Sequence, residues 1–320
     1  MSLLSIIIIS PDGCATVRRL TDALAAQTVR NELELVYVLP SKLLHEVEIL
    51  DLEGFAAIQA VTNDEMDSTA RARAAGVRAA RSPVIAFTED HSLPDPGWAE
   101  ALIRAHQNGW SVVGPAVKNS NPLSLLSWAN FLIEYSDWLD PVQGGETHHL
   151  PGHNSAYKRD VLLGYGEDLS RWLEAESLVH WDLRTRGHRL CLEPAARTSH
   201  LNFSRFGASL MLRFHAGRLF AGMRRRGWSV PLRATYALGS PLIPLVRLAR
   251  IFRSLCSPGR PLRLLPRLLP AMLVLLAVEA FGEMTGYIFG PGDSSKRIAH
   301  VDFHRENFMN PKDYKRWADS

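Results

Sequence analysis

Hydrophobic and polar positions follow two alternating patterns over the first two hundred residues. Short continuous apolar runs predict strands that are covered on both faces, and apolar residues at every third or fourth position predict helices. The predicted strands are 4–10, 33–39, 56–61, 83–87, 111–117 and 189–193, and the predicted helices are 15–27, 68–81 and 96–108. Strands that alternate with helices favour an α/β fold, in which right-handed crossovers join a mostly parallel, Rossmann-like sheet flanked by helices.

The C-terminal part has a different pattern. An amphipathic helix is predicted over 208–226, and two uncharged apolar runs follow at 234–246 and 268–278, with prolines near them. Residues 194–278 contain 14 Arg and no Asp, Glu or Lys, although the whole chain has a formal charge of only +3. This asymmetry predicts a catalytic domain over 1–206, an Arg-rich apolar helical region over 207–290 and a tail over 291–320.

The Arg-rich region is predicted to bind an anionic membrane surface through interfacial, monotopic helices. Each apolar run is shorter than the roughly 20 residues that a spanning helix needs. A single span over 264–290 ranks second, because it would bury Glu279 and Glu283. Nucleic acid is not expected as a partner, since Lys is absent from this region and no nucleic-acid motif is found.

Cellular location is predicted from the cysteines and the N-terminus. Cys14, Cys191 and Cys256 lack metal-ligand spacing and fit a reducing compartment. The apolar N-terminus lacks the basic start and the cleavage site of a signal peptide, so we interpret it as a buried strand. We therefore expect a peripheral or monotopic protein on the cytoplasmic face of the inner membrane.

Candidate chemistry lies just after the fourth predicted strand. Ligands of open α/β sheets bind beyond the carboxyl ends of the strands, where this chain has Glu89, Asp90 and His91. Glu89 and His91 alternate onto one side of an extended chain, whereas Asp90 faces the other side. Mixed oxygen and nitrogen ligands favour Mn²⁺, with Mg²⁺ as the alternative cation, and an acidic turn that caps the next helix is the structural alternative.

Two nucleotide-binding motifs are absent from the sequence. The chain has neither a GxGxxG nor a GxxxxGK[ST] motif. This argues against a dinucleotide-dependent dehydrogenase and a P-loop NTPase.

The order of motifs over about residues 4–206 resembles family 2 glycosyltransferases of the GT-A fold. An Ala/Arg helix that contains Arg73 leads into the fourth strand, the Glu-Asp-His triplet and a proline-containing turn before Trp98. The resemblance implies that Glu89 and His91 bracket a metal that holds the diphosphate of a nucleotide sugar, with Asp90 on the donor side. It also implies that Arg73 faces that diphosphate. The triplet departs from the family's Asp-x-Asp, and Ala74 stands where the family has Asn.

The same resemblance assigns further positions. Pro11 and Asp12 would contact the nucleotide, His153 and Asn154 the acceptor, His200 the metal and Arg205 the diphosphate. Glu176 would be the catalytic base, with Glu174 in reserve. If both glutamates lie on one helix, they point in directions about 200° apart, so that at most one faces the cleft.

The expected function is a metal-assisted, inverting transfer of a sugar from a nucleotide-sugar donor to a lipid-linked or envelope-glycan acceptor. One alternative is a catalytically degenerate GT-A domain that acts as a nucleotide-binding or scaffold module at the membrane. Another is a nucleotidyltransferase of similar fold, which is disfavoured because the first strand–helix turn lacks a Gly-rich basic phosphate loop.

Overall fold

The structure of the protein is a computed structural model that describes residues 2–48 and 52–319. Its strands are β1 (Leu4–Ile9), β2 (Leu33–Leu39), β3 (Ala57–Thr62), β4 (Val84–Phe87), β5 (Ser92–Pro94), β6 (Val112–Asn119), β7 (Gly145–Thr147), β8 (Ala156–Lys158) and β9 (Leu190–His200). Its helices up to β9 are α1 (Arg18–Ala25), α2 (Leu44–Glu48), α3 (Thr69–Ala79), α4 (Trp98–Gln107), α5 (Leu125–Tyr135), α6 (Arg159–Leu163), α7 (Leu169–Leu173) and α8 (Glu176–Thr185). After β9 come α9 (Phe206–Arg224), α10 (Val230–Gly239), α11 (Ile243–Leu255), α12 (Leu265–Phe289), α13 (Ser294–Phe303), α14 (Arg305–Phe308) and α15 (Pro311–Ala318).

The described strands form one mixed sheet. Its order is β3-β2-β1-β4-β8-β6-β9-β5, and β7 pairs with β9. Strands β3, β2, β1 and β4 are parallel, whereas β8 is antiparallel to both β4 and β6. The predicted α/β fold with a C-terminal helical region is confirmed.

A buried carboxylate fixes the register at the start of the parallel strands. Glu34 of β2 accepts hydrogen bonds from the Ser5 hydroxyl of β1 and from the backbone amides of Arg81 and Ser82, just before β4. Burial acts to raise the pKa of Glu34, but these donors together lower it. An ionised carboxylate therefore connects three segments of the sheet, because each donor stabilises its charge.

Helix α3 follows β3 and carries Arg73, which is a residue of the predicted site. Its N-cap is Ser68, whose hydroxyl accepts from the Arg71 amide. Ala70, Ala72, Ala74 and Gly76 are buried, so small side chains bring the helix close to the sheet. This close packing buries Arg73 as well.

The chain divides into two compact units. The first unit is Met1–Lys118 with Asp140–His200, and it contains the sheet. The second is Asn119–Leu139 with Leu201–Ser320. It is helical and consists of α5 together with the helices from α9 through α15. Within the second unit, Arg213 of α9 donates to Glu134 of α5, so the separated segments are connected by a buried arginine.

Candidate active site

Three side chains that could hold a metal ion converge at the end of β4. Glu89 and His91 lie in the turn between β4 and β5, and His200 ends β9, where it pairs in register with Ser92 of β5. Glu89 Oε2 lies 3.5 Å from His91 Nε2 and 3.6 Å from His200 Nε2. The three ligand atoms all lie within 4.8 Å of one another. The structure thus brings all three predicted metal ligands together.

Asp90 lies behind His91 in this cluster. Its Oδ1 is 2.6 Å from His91 Nδ1, so the carboxylate accepts from the Nδ1–H tautomer. The other ring nitrogen, Nε2, is buried without a hydrogen-bond partner. A carboxylate that orients an imidazole in this way is common behind metal ligands. The donor contact expected of Asp90 stays a prediction.

The carboxylate of Glu89 is held in its charged form. Burial acts to raise its pKa, but the charges of His153 and His91 and the hydrogen bond from His200 hold it well below its usual range. Its side chain is only 16% exposed. An anionic oxygen therefore faces two imidazoles in a site from which water is largely excluded.

Arg73 connects this cluster to the predicted base. Its Nη1 lies 2.6 Å from Glu176 Oε1, and its Nη2 lies 3.6 Å from Glu89 Oε1. The guanidinium also stacks over the Phe87 ring at 5.4 Å, and the side chain is almost completely buried. One fixed cation is thus shared by two carboxylates.

Glu176 is the first residue of α8 and touches the turn at Gly152–Asn154. A β-carbon at position 152 would overlap the β- and γ-carbons of Glu176, so only glycine permits this approach. His153 Nδ1 lies 4.0 Å from Glu176 Oε1, and Asn154 Nδ2 donates to Glu89 Oε2 at 3.4 Å. Both predicted acceptor residues therefore lie beside the charged groups.

Glu174 and Glu176 do not share one helix, so the argument from directions about 200° apart does not apply to them. Helix α7 ends at Leu173, Ala175 is extended, and α8 begins at Glu176. Because of this break, both glutamates contact α3 or its cap: Glu174 accepts from the Ser68 hydroxyl at 2.8 Å and Glu176 from Arg73.

The remaining predicted residues lie elsewhere. Pro11 and Asp12 form the turn after β1, at the carboxyl ends of the parallel strands. Arg205 belongs to the second unit, where it is the N-cap of α9 and donates to the carbonyl of Asn307 at 3.2 Å. The nucleotide and diphosphate contacts expected of these three residues stay predictions.

A buried tyrosine–histidine pair lies behind Gly152 and was not predicted from the sequence. The Tyr157 hydroxyl lies 2.8 Å from His180 Nε2 and 3.4 Å from the Gly152 carbonyl. Burial lowers the pKa of His180 to about 3, so its ring is neutral, and burial raises the pKa of Tyr157. In the sequence both look like ordinary core residues, and no spacing links them.

Comparison with known proteins gives a family and a fold. The family described as "Glycosyl transferase family 2" matches residues 5–166. The mannosyltransferase PcManGT from Pyrobaculum calidifontis, solved with GDP-Man and Mn²⁺, superposes with a TM-score of 0.50 at 17% identity, over 94% of this chain and 86% of that one. GalNAc-T7, solved with UDP, GalNAc and Mn²⁺, gives a TM-score of 0.46 at 14% identity over 63% of this chain, which spans 44% of that enzyme. No curated protein has a significantly similar sequence.

Proposed function

The chain belongs to glycosyl transferase family 2 and is a glycosyltransferase of the GT-A fold, and we propose that it transfers a sugar from a nucleotide-sugar donor to an acceptor hydroxyl with inversion. The observation that carries this proposal is the row of charges Glu176–Arg73–Glu89 with His91 and His200 beside it. It combines a base, a fixed cation and a cation-binding cluster in one buried site.

The reaction needs a base and a stabilised leaving group. The acceptor oxygen forms the new bond to the anomeric carbon while the bond from that carbon to the phosphate oxygen breaks, and the nucleoside diphosphate leaves with the bonding electrons. The acceptor proton passes to Glu176. Its carboxylate is oriented by Arg73 and by the contact with Gly152, which suits a general base whose position must be fixed.

Arg73 is the residue that would bind the departing diphosphate. Its charge is permanent, and its planar donors match phosphate oxygens. In the structure these donors contact the carboxylates of Glu176 and Glu89. A diphosphate that enters the site competes for the same guanidinium.

The cluster fits a divalent cation. Two atoms that each bind a metal at about 2.1 Å lie about 3.0–3.4 Å apart, close to the observed 3.5 and 3.6 Å. His91 Nε2 is buried without a hydrogen-bond partner, 3.5 Å from Glu89 Oε2. Glu89, His91 and His200 would hold the cation, which neutralises diphosphate charge when bound.

Two imidazoles beside one carboxylate favour Mn²⁺ over Mg²⁺, because Mg²⁺ prefers oxygen ligands. We expect titration calorimetry to show Mn²⁺ binding at least 10-fold tighter than Mg²⁺, and His200→Ala to weaken Mn²⁺ at least 10-fold. Equal affinities for the two cations in the unmodified protein would contradict this preference.

The acceptor we propose is a lipid-linked or envelope glycan presented at the cytoplasmic face of the inner membrane. The donor class is supported by the GDP-Man in the mannosyltransferase neighbour. The acceptor class is supported by the Arg-rich, apolar character of residues 194–278.

The test measures nucleoside diphosphate released from a panel of nucleotide sugars, with membrane extract as acceptor. Glu176→Gln should lower turnover about 10²- to 10⁴-fold, the range for loss of a general base. Glu174→Gln removes the reserve base and should retain most of the activity. Full turnover in Glu176→Gln would overturn the assignment of the base.

The alternatives give different outcomes in the same experiment. Release of pyrophosphate would indicate a nucleotidyltransferase. Tight binding of nucleoside diphosphate without turnover on any donor would indicate a binding or scaffold module.

A further inference from the structure

Helix α12 buries its two acidic side chains and exposes large apolar ones. Its buried side carries Glu279 and Glu283 together with Gly282, Gly286 and apolar residues such as Leu275 and Leu276. Its exposed side is apolar: Leu269, Leu273, Val274, Phe281, Ile288 and Phe289. A surface helix of a soluble protein shows its charges outward and its apolar stripe inward. The exposed face of α12 is therefore suited to a solvent other than water.

Glu279, on the inner side of α12, has charged partners within the second unit. Glu279 pairs with Arg247 of α11, and Arg213 Nη1 of α9 lies 3.8 Å from Glu279 Oε2. A buried pair of this kind is not lost when the outer face meets lipid, because the pair faces the neighbouring helices.

Glycines bring the backbones of α9 and α12 into contact. A β-carbon at Gly217 would overlap the Glu279 carbonyl, and one at Gly282 would overlap the Phe214 carbonyl. Close contact through small residues, with polar pairs between the helices, is how helices associate in lipid, where apolar burial gives no driving force.

The apolar surface continues over three of the elements that pack on α12: α10, the 240–242 turn and α11. We define the apolar strip as the exposed side of α12 together with Val230, Leu232, Leu238, Leu242, Leu245 and Val246. Leu238 is 82% exposed and Leu245 is 64% exposed. Soluble monomers rarely expose so many large apolar side chains on one set of packed elements.

Arginines flank the apolar strip. Arg213, Arg218, Arg225 and Arg247 are engaged in contacts inside the second unit. By contrast, Arg250 and Arg253 of α11, Arg263 in the turn before α12 and Arg267 of α12 are exposed. This charge complements phosphate headgroups, and no acidic residue occurs between 194 and 278 to oppose it.

We propose that the apolar strip inserts into one leaflet of an anionic membrane with α12 in the plane of the membrane, while the four exposed arginines bind lipid phosphates. The inference identifies the docking surface and its orientation. It does not depend on sugar transfer, because every residue that carries it lies in the second unit.

The in-plane orientation follows from the position of α13. Helix α9 runs in the same direction as α12, since Phe214 meets Gly282 and Arg218 meets Gly286. Helix α13 then runs back along α9, because Ser294 contacts His215, and Asn307, beyond its end, contacts Arg205. Its exposed residues Lys296, Arg297 and His300 thus lie beside the middle of the α9–α12 pair.

Length and composition alone would allow α12 to cross a bilayer. Among the described residues, Leu262–Phe289 is the one helical stretch that is long and apolar enough, a criterion that core helices of soluble proteins also meet. A span through α12 would carry Lys296 and Arg297 of α13 into the hydrocarbon, where charged side chains are costly to bury. The in-plane orientation leaves α13 in water.

The first test is flotation of the full chain with vesicles of phosphatidylcholine containing about 30% phosphatidylglycerol, an anionic lipid that gives the surface a negative potential. We expect Leu238→Glu with Leu245→Glu to weaken binding at least 10-fold. The matched control is Leu123→Glu, which changes an equally exposed leucine before α5 and should bind as the unmodified protein does. Arg263→Gln with Arg267→Gln should weaken binding at least 10-fold to these vesicles and leave binding to phosphatidylcholine alone unchanged.

The second test separates the orientations by labelling with a membrane-impermeant maleimide, in a Cys256→Ser background. With vesicles bound, Phe281→Cys should become protected, whereas Lys296→Cys should react as fast as in solution. Protection of Lys296→Cys would show a span and overturn the in-plane orientation.

Two further outcomes would overturn the docking surface itself. One is vesicle binding that the strip variants leave unchanged. The other is a stable dimer in solution that fails to float, which would show that a second copy covers the strip. The Glu176→Gln protein should float normally, so a failure of the proposed chemistry and a failure of the proposed surface are distinguishable.

Discussion

Replacing Gly152 with alanine tests how the base is positioned. The added methyl group would overlap the β- and γ-carbons of Glu176. The 152–154 turn cannot easily retreat, because its backbone is held by bonds from Ser155 N to Gly152 O at 3.3 Å and from the Tyr157 hydroxyl to the same carbonyl at 3.4 Å. Overpacking of this kind costs about 1–3 kcal/mol of stability. The overlap is relieved at the lowest cost in free energy if Glu176 moves away from the turn.

A displacement of about 1 Å at a catalytic group lowers the rate about 100-fold. We therefore expect Gly152→Ala to lower kcat about 100-fold in a nucleoside-diphosphate release assay and to lower Tm in a thermal scan. Mn²⁺ affinity should stay unchanged, because Glu89, His91 and His200 do not touch the added methyl group. The matched control is Gly97→Ala, since a β-carbon there has no neighbour within 4 Å and the backbone φ is −92°. A Gly152→Ala enzyme with kcat within twofold of the unmodified enzyme would refute the idea that this contact positions Glu176.

Three other substitutions probe the site and its support. Arg73→Lys should weaken binding of a nucleoside diphosphate about 10- to 100-fold in calorimetry, because a single ammonium cannot replace the planar guanidinium that reaches both Glu89 and Glu176; unchanged affinity would contradict a diphosphate role. Tyr157→Phe should destabilise the fold by about 1–3 kcal/mol in urea unfolding, since it leaves the buried His180 Nε2 without its partner, and a neutral effect would show that the pair contributes nothing. Burial lowers the pKa of His106 from 6.5 to about 4, so the unfolded state binds more protons between these values and stability falls as pH drops below about 6.5, by about 2 kcal/mol at pH 5. His106→Asn should flatten that dependence in unfolding experiments from pH 7 to pH 4.5, and an unchanged slope would exclude His106 as a cause.

The sequence predicted the parts of the site whose signals are local. The apolar run before Glu89 shows where β4 ends, and the polar triplet follows at once. His200 could be placed only through the resemblance, because it lies 109 positions from His91. The two residues meet through pairing of β9 with β5, a strand of three residues that is too short to show a periodicity of its own.

Other features depend on contacts that no local pattern reveals. Residues 169–185 look like one helical stretch, but contacts of Glu174 with Ser68 and of Glu176 with Arg73 accompany a break at Ala175. Similarly, an amphipathic pattern over α9 assigns Arg213 to the solvent side. Its partners Asn130 and Glu134 come from α5, about eighty positions earlier. Tertiary contacts of this kind override the helix propensity and the apolar periodicity of the local sequence.

The division of the chain into interleaved units limits how the protein can be cut. A truncation near residue 206 follows the apparent boundary in the sequence, but it removes α9 and α12 and leaves α5 behind. Phe131, Leu132, Ile133 and Tyr135 of α5 are buried in the full chain and would then be stripped of their neighbours. The α/β portion is therefore not an excisable module, and a shortened enzyme for crystallisation or engineering should retain the helical unit and substitute its apolar strip instead.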